Sequence, residues 1–310
     1  MTHPHGDGVR VRVPATSANL GPAFDCAGLA LTCHDDVGFS VAADGLEVAM
    51  TGEGAHSLPT GEDHLVVRSF RAACAELGWA PPGLRVVAEN RIPQGRGMGS
   101  SAAAVVAGVV GAWALCPDVD EVDTAAVLRL VTELEGHPDN VAACLLGGAV
   151  LSWMEDGGAR AHRLDVDRRI VPLVLVPAGT LSTHVARGLL PEVVPHRDAA
   201  HNAGRAALLT AALTQAPELL LPATDDRLHQ RQRGTAMPAS LELVDRLRDR
   251  GLAAVVSGAG PSVLVLADGS AGDPLPAVLE ATPEDWDVRA LDVDPAGACV
   301  SGGTGEISSR

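Results

Sequence analysis

The chain has 310 residues, with 39 acidic against 23 basic ones, a formal net charge of −16 and no lysine, so all 23 basic residues are arginine. The missing lysine excludes a Walker A phosphate loop, the strand lysine of a protein kinase and Schiff-base chemistry. The acidic balance disfavours nucleic acid and anionic lipid as general partners, so any anionic ligand needs a local trap.

The length is enough for two domains with substantial cores. Tyrosine is absent and phenylalanine occurs only at 24, 39 and 70, so those cores are expected to be aliphatic. Six dispersed cysteines with no Cys-x-x-Cys pair read as reduced core residues. The opening MTHPHGDGVR lacks the basic and apolar regions of a signal peptide, and no apolar run is long enough for a membrane span, which predicts a cytoplasmic protein.

In chain order, Val9 to Val13 and Gly28 to Ala42 are β-rich, with PATSANLGPAFD read as a loop between them. His64 to Leu77 is an amphipathic helix and Leu84 to Ala88 a strand. A glycine loop follows, then a helix from about Ser100 to Leu115 that is apolar nearly all round, which means burial. Val122 to Glu135 is a second amphipathic helix stopped by Gly136, and HPDN opens a short helix ending at Gly147 and Gly148. Ala149 to Trp153 is a strand, and the polar run MEDGGARAHRLDVDRR is expected to be the domain boundary, near residue 165. Beyond it, strands are expected at Ile170 to Val176, Ala253 to Val256, Ser262 to Ala267 and Asp287 to Val293. Helices are expected at Leu181 to Leu189, Ala199 to Gln215, Ser240 to Arg250 and Pro274 to Glu280, before a disordered tail. Strands and helices alternate, so the class is α+β or α/β.

Three stretches carry chemistry. In IPQGRGMGSSAAAV, Gly95, Gly97 and Gly99 let the backbone approach a ligand, and Ser100 or Ser101 can cap the following helix. The free N–H groups and positive dipole end of that helix form an anion site that needs no cationic side chain; a capped turn is the bland alternative. In ELEGHPDNVA, Glu135 sits at a helix C-terminus, where the dipole disfavours a carboxylate by ~0.3 to 1 kcal/mol, so a cation is a candidate partner. Helix punctuation by Pro138, Asp139 and Asn140 is the alternative. In VVSGAGPSVLVL, Gly258-Ala259-Gly260-Pro261 is a tight turn or a loop closing over phosphate or substrate.

Together, PATSANLGPAFDCAGLAL, PQGRGMGSSAA, EGHPDNVA and SGAGPSV, in this order, resemble the GHMP small-molecule kinases. TSANLGPAFD, EGHPDN, LSTHVAR and RLHQ are similar to the homoserine kinase branch of that superfamily. The resemblance runs from about residue 9 to 293. It implies an α+β GHMP fold, with an N-terminal α/β ATP-binding domain over 9–165, a ferredoxin-like domain over 166–295, and a tail over 296–310. It also implies ATP and Mg²⁺, L-homoserine as substrate in threonine biosynthesis, and a homodimer.

By the same resemblance, ATP phosphates rest on the loop Pro93, Gly95, Arg96, Gly97, Met98, Gly99, Ser100, Ser101, Ala102 and Ala103, with Ser101 and Glu135 reaching the metal. Asn19 and Asp25 hold the substrate ammonium, with His137 and Asn140 nearby, Thr183 close to the reacting hydroxyl, and Gly260 in the substrate loop. Arg187 and Arg233 grip the carboxylate, a task that suits a guanidinium fork. Many relatives have an aspartate base where this chain has Asn140, so no general base is expected, and Asn140, Thr183 and Glu135 form the catalytic set. Ala23 replaces a common glycine. HQRQRGTAMPAS departs from the usual His-Gln-Pro-Tyr-Arg, which leaves Arg231 or Arg233 for the carboxylate, with register favouring Arg233. A kinase for a related amino alcohol such as L-threonine, and a GHMP-fold binding protein without catalysis, are the competing readings.

Overall fold

The computed structural model describes residues 8–302. Residues 1–7 of the opening segment and 303–310 of the expected tail lie outside the described residues. The chain begins with β1 (Val9–Ala18), β2 (Ala27–Ala42) and β3 (Gly45–Gly52), then α1 (Leu65–Glu76), β4 (Gly83–Asn90) and α2 (Ser100–Leu115). Helices α3 (Thr124–Glu135) and α4 (Pro138–Leu146) and the hairpin β5 (Ala149–Glu155) and β6 (Gly158–Leu164) follow. The second half comprises β7 (Ile170–Val176), α5 (Thr183–Gly188), α6 (His196–Thr214), α7 (Leu220–Ala223), α8 (Pro238–Asp249), β8 (Ala253–Val256), β9 (Val263–Asp268), α9 (Leu275–Ala281), β10 (Asp287–Ala290) and β11 (Cys299–Gly302).

These strands make two sheets. The larger runs β11-β1-β2-β4-β3, with β5 joined to β2 and β6 to β5; the smaller is antiparallel with order β10-β7-β9-β8. β2 is long enough to pair with β1 along one edge while its other edge takes β4 at Asp36–Ala42 and β5 at Ala27–Leu29. Helix α2 is buried on almost every side, as its composition predicts. Its Gly108 lies where a Cβ would overlap the Val66 carbonyl of α1, so the two helices pack backbone to backbone. In the smaller sheet Leu173, Leu175, Ala254, Val263 and Val265 face α8 and α9, while Val174, Val176, Val255, Leu264 and Leu266 join the main core with α6. Both faces are covered, which is why β7 to β9 read as continuous apolar runs.

Four expectations need correction. β1 continues through Pro14 to Ala18, so the first part of the presumed loop is strand, and the turn proper starts at Asn19. The polar run Met154 to Arg169 is not irregular throughout: it holds the end of β5, the turn and all of β6, an edge strand whose Ala159 is buried while Arg160 and Arg163 face out, and only 165–169, next to the boundary expected near residue 165, connect it to β7. β3 was not expected. Residues 299–302, expected in the disordered tail, pair with β1, and Leu31 bridges to Val293, so the chain's end returns to the larger sheet.

Candidate active site

A cavity of about 170 Å³ lies where the glycine loop, the turn after β1, the start of α4, α5 and the loop after β8 converge. The glycine loop is held by its carbonyls. Gly95 O accepts from Leu181 N at 2.8 Å, Gly97 O from Ser257 Oγ at 2.6 Å, and Met98 O from Thr16 N at 3.0 Å. The N–H groups of Gly97, Met98 and Gly99 find no acceptor among the described residues. Gly97 (φ 70°) has no room for a Cβ beside the Ser257 carbonyl, and Gly99 (φ 70°) none beside Thr16 Oγ1. The loop therefore presents main-chain donors to the cavity, continued by the first turn of α2, as an anion cradle requires. Neither serine caps the helix; Gly99 is the N-cap, and Ser101 Oγ donates instead to Glu135 Oε1 at 2.6 Å.

Glu135 ends α3 beside that serine. Burial pushes its carboxyl pKa up, and the Ser101 hydrogen bond offsets this only in part. A carboxylate and a hydroxyl side by side, short of positive charge, suit an oxygen-liganded divalent cation that takes its other ligands from phosphates and water. Among the described residues no group of three or more His, Cys, Asp or Glu is placed to hold a metal ion.

The turn after β1 carries all three non-glycine residues with positive φ among the described residues: Asn19 (70°), Leu20 (46°) and Asp25 (57°). Asn and Asp tolerate this region, but buried Leu20 is strained there, and such strain clusters at functional sites. Asn19 Nδ2 donates to Gly258 O at 3.0 Å and its Oδ1 accepts from Asp25 N at 3.0 Å. Asp25 and Arg187, expected to hold opposite ends of a substrate, instead bind each other: Arg187 donates through both terminal nitrogens at 3.0 and 2.6 Å. Arg187 also lies 5.5 Å from the Phe24 ring centroid and Arg233 5.8 Å, so one aromatic ring separates two guanidiniums.

Arg233 is buried and lines the cavity, and burial lowers its pKa to about 10. Arg231 is 59% exposed, paired with Asp245 on the surface and absent from the cavity lining. Thr183 opens α5 at the cavity wall. Asn140 Oδ1 accepts from Thr16 Oγ1 at 2.8 Å, and its N–H donates to Asp139 Oδ1 at 2.7 Å. His137 Nδ1 lies 2.7 Å from the same Asp139 oxygen; burial works against charge on that ring, but Asp139 outweighs it and raises the pKa.

Of the expected site residues, Asp25, bound to Arg187, does not line the cavity, and neither does Gly260. Its N–H closes a turn on Ser257 O at 2.8 Å, and its α-carbon faces Met237 and Val256, so Gly258 and Ala259 take its place. Ala102 and Ala103 are core residues that offer at most backbone, and Arg96 lines the cavity with its guanidinium committed to Pro177 O and Ala178 O. Asp139, read as helix punctuation, lines the cavity as a buried carboxylate. A second, apolar cavity of about 280 Å³ shares Gly95, Ser100 and Ser101 with the first and is lined by Val13, Leu58, Pro59 and His64. His64 was passed over because nothing in a helix-start histidine signals a ligand. It is 4% exposed, and neither ring nitrogen has a partner among the described residues.

The family model described as GHMP kinases N terminal domain matches residues 64–148, and that described as GHMP kinases C terminal matches 200–285. The chain is 57% identical to the homoserine kinase of Streptomyces coelicolor over 293 residues, covering 94% of each. It is 52% identical to that of Clavibacter michiganensis over 299 residues, 95% of this chain and 94% of the relative. Among solved structures, homoserine kinase from Cytophaga hutchinsonii superposes with a TM-score of 0.84 at 26% identity, over 97% of this chain and 99% of that one. L. major mevalonate kinase, at 16% identity over 95% of this chain and 99% of that one, shares the fold with a TM-score of 0.69.

Proposed function

We infer the reaction from one premise: this chain belongs to the GHMP kinases, and within them to the homoserine kinases. It transfers the γ-phosphoryl group of ATP to the side-chain hydroxyl of L-homoserine, giving O-phospho-L-homoserine and ADP, a step of threonine biosynthesis. The observation that carries this is the convergence of four distant motifs on one cavity, with a main-chain anion cradle at one end and two arginines at the other.

We assign the phosphates to the N–H groups of the 93–101 loop and the first turn of α2. The adenine base suits the adjoining apolar cavity, where His64 offers an uncommitted donor or acceptor. Ser101 and Glu135 would hold Mg²⁺, which supplies neutralisation of the charge on the transferring group. The substrate's ammonium and carboxylate exchange partners with the Asp25–Arg187 pair: ammonium to Asp25 and Asn19, carboxylate to Arg187 and Arg233. That exchange keeps each charge compensated as the substrate loses its water. Thr183 and Asn140 orient the hydroxyl. The amide of Asn140 cannot take a proton, and Thr16 and Asp139 fix its orientation. As the new O–P bond forms and the bond to the β-phosphate oxygen breaks, the hydroxyl proton passes to a phosphate oxygen or water, which a loose transition state permits.

The reading includes an ATP-binding unit over 9–165, which β11 joins, a second unit over 166–295, a homodimer and a cytoplasmic site of action. Among the described residues no helix is long and apolar enough to cross a membrane. The test is ADP release with Mg-ATP across homoserine, threonine, serine, mevalonate and galactose. Homoserine is expected to give the highest kcat/KM; a preference for threonine moves the substrate, and no turnover with any of them rejects the reaction.

A further inference from the structure

Behind Arg233 lies a buried polar group that the reaction above does not use. His229 and Arg233 are each only 1% exposed. Arg233 Nε donates to the His229 carbonyl oxygen at 3.2 Å, and one terminal nitrogen is hydrogen-bonded to Nδ1 of the same residue. The other terminal nitrogen donates to Gly258 O at 3.2 Å, the carbonyl that also accepts from Asn19. A guanidinium has only donors, so Nδ1 of His229 is the acceptor and the ring proton sits on Nε2. Nε2 in turn lies 2.6 Å from the carbonyl oxygen of Gly21, which requires an N–H. Both contacts demand the same tautomer. Burial pushes the His229 pKa down to about 4, so the ring is neutral at pH 7.

The ring is fixed from below as well. The Asp226 carboxylate accepts from the N–H groups of Leu228, His229 and Gln230 at 2.9, 3.1 and 2.8 Å and from Asn202 Nδ2 at 2.9 Å. Phe24 covers one side, its centroid 5.0 Å from that of the imidazole. Gly21 belongs to the strained turn that carries Asn19 and Asp25. One ring therefore ties the segment assigned to the substrate's ammonium to the arginine assigned to its carboxylate.

We propose that His229 is a positioning residue for substrate recognition: an Nε2–H strut between Gly21 and Arg233 that sets how far the guanidinium stands from the 19–25 turn. This rests on the homoserine reading, because it is the spacing of ammonium and carboxylate that the strut would fix.

The test compares His229→Asn, whose side-chain oxygen can stand near the position of Nδ1, with His229→Leu, which offers no polar atom. KM for homoserine should rise roughly ten- to a hundredfold in His229→Leu, as expected when a buried charged group loses its partner, and less in His229→Asn. KM for ATP should stay unchanged in both. An unchanged KM for homoserine in His229→Leu, or equal rises in both KM values, overturns the proposal, the second because a general loosening would affect both substrates. Nitrogen-15 NMR of the histidines in the unmodified protein decides independently of any variant's folding. An Nε2–H tautomer is expected, and a proton on Nδ1 overturns the strut. If the unmodified enzyme does not turn over homoserine, the reaction reading fails, while the tautomer still decides whether the strut exists.

Discussion

At its loop end the cavity presents main-chain N–H groups, while the loop's carbonyls are bonded to Thr16, Leu181 and Ser257. Elsewhere it presents two guanidiniums, each already partnered, Arg187 with Asp25 and Arg233 with His229 and Gly258. The first arrangement depends on backbone conformation and tolerates most side chains except at its glycines. The second depends on particular side chains and on what lies behind them. On the assignment proposed above, a chain without lysine would bind phosphate through main-chain geometry and keep its arginine forks for a carboxylate.

The largest effect is expected where the two ends meet. Glu135→Ala should lower kcat roughly a thousandfold while leaving KM for homoserine nearly unchanged, because it removes a side chain that would hold the cation whose charge compensation is needed most during transfer. A loss confined to KM would assign Glu135 to ground-state binding. Ser101→Ala, which keeps the carboxylate, should lower kcat less and weaken Mg-ATP use without unfolding α2, whose packing lies on other residues.

The side-chain end should respond to chemistry that conserves charge. Arg233→Lys retains a cation but loses the fork and its bonds to His229 and Gly258, so KM for homoserine should rise roughly tenfold or more with KM for ATP unchanged. The loop end should respond to a single methyl group. Gly97→Ala places a Cβ against the Ser257 carbonyl at φ 70°, a conformation that costs an L-residue ~1 to 2 kcal/mol, so KM for ATP should rise several-fold with KM for homoserine little changed. Equal shifts of both KM values in either variant would merge the two ends into one cooperative site.

The same contrast decides what the sequence could disclose. The loop end was readable because a backbone cradle leaves its mark locally, in glycines at 95, 97 and 99 ahead of an apolar helix. The other end is assembled from residues 19–25, 137–140, 183–187 and 229–233, and no local pattern says that these meet; the family resemblance supplied them. Resemblance carries over contacts, not their local geometry, so Gly260 was misplaced and the Asp25–Arg187 pairing was not foreseen. Asp139 and His64 were missed because a buried carboxylate at a helix start and a lone histidine have no spacing signature. In the fold, buried α2 was legible from composition, whereas edge strands β6 and β11 were not, since an edge strand facing water is as polar as a loop.

One side chain ties the backbone end to the sheet, and its titration gives the smallest effect. Asp35 Oδ1 accepts from Arg91 N at 2.6 Å and Ile92 N at 2.9 Å, the two residues that lead into the glycine loop. Burial raises its pKa from 3.8 to about 6 despite those bonds. Below pH 4 the folded and unfolded chains both hold this proton. Between about 4 and 6 only the folded chain keeps it, so this group's contribution to stability falls as pH rises through that window and stays low above it. Asp35→Asn retains an oxygen where Oδ1 stands and removes the charge. Relative to the unmodified protein it should therefore gain on the order of 1 to 2 kcal/mol in urea unfolding at pH 8, and a smaller amount near pH 5. If Asp35→Asn loses stability at pH 8, the ionised carboxylate is holding the loop through its charge, and the backbone end depends on side-chain electrostatics as much as the other end does.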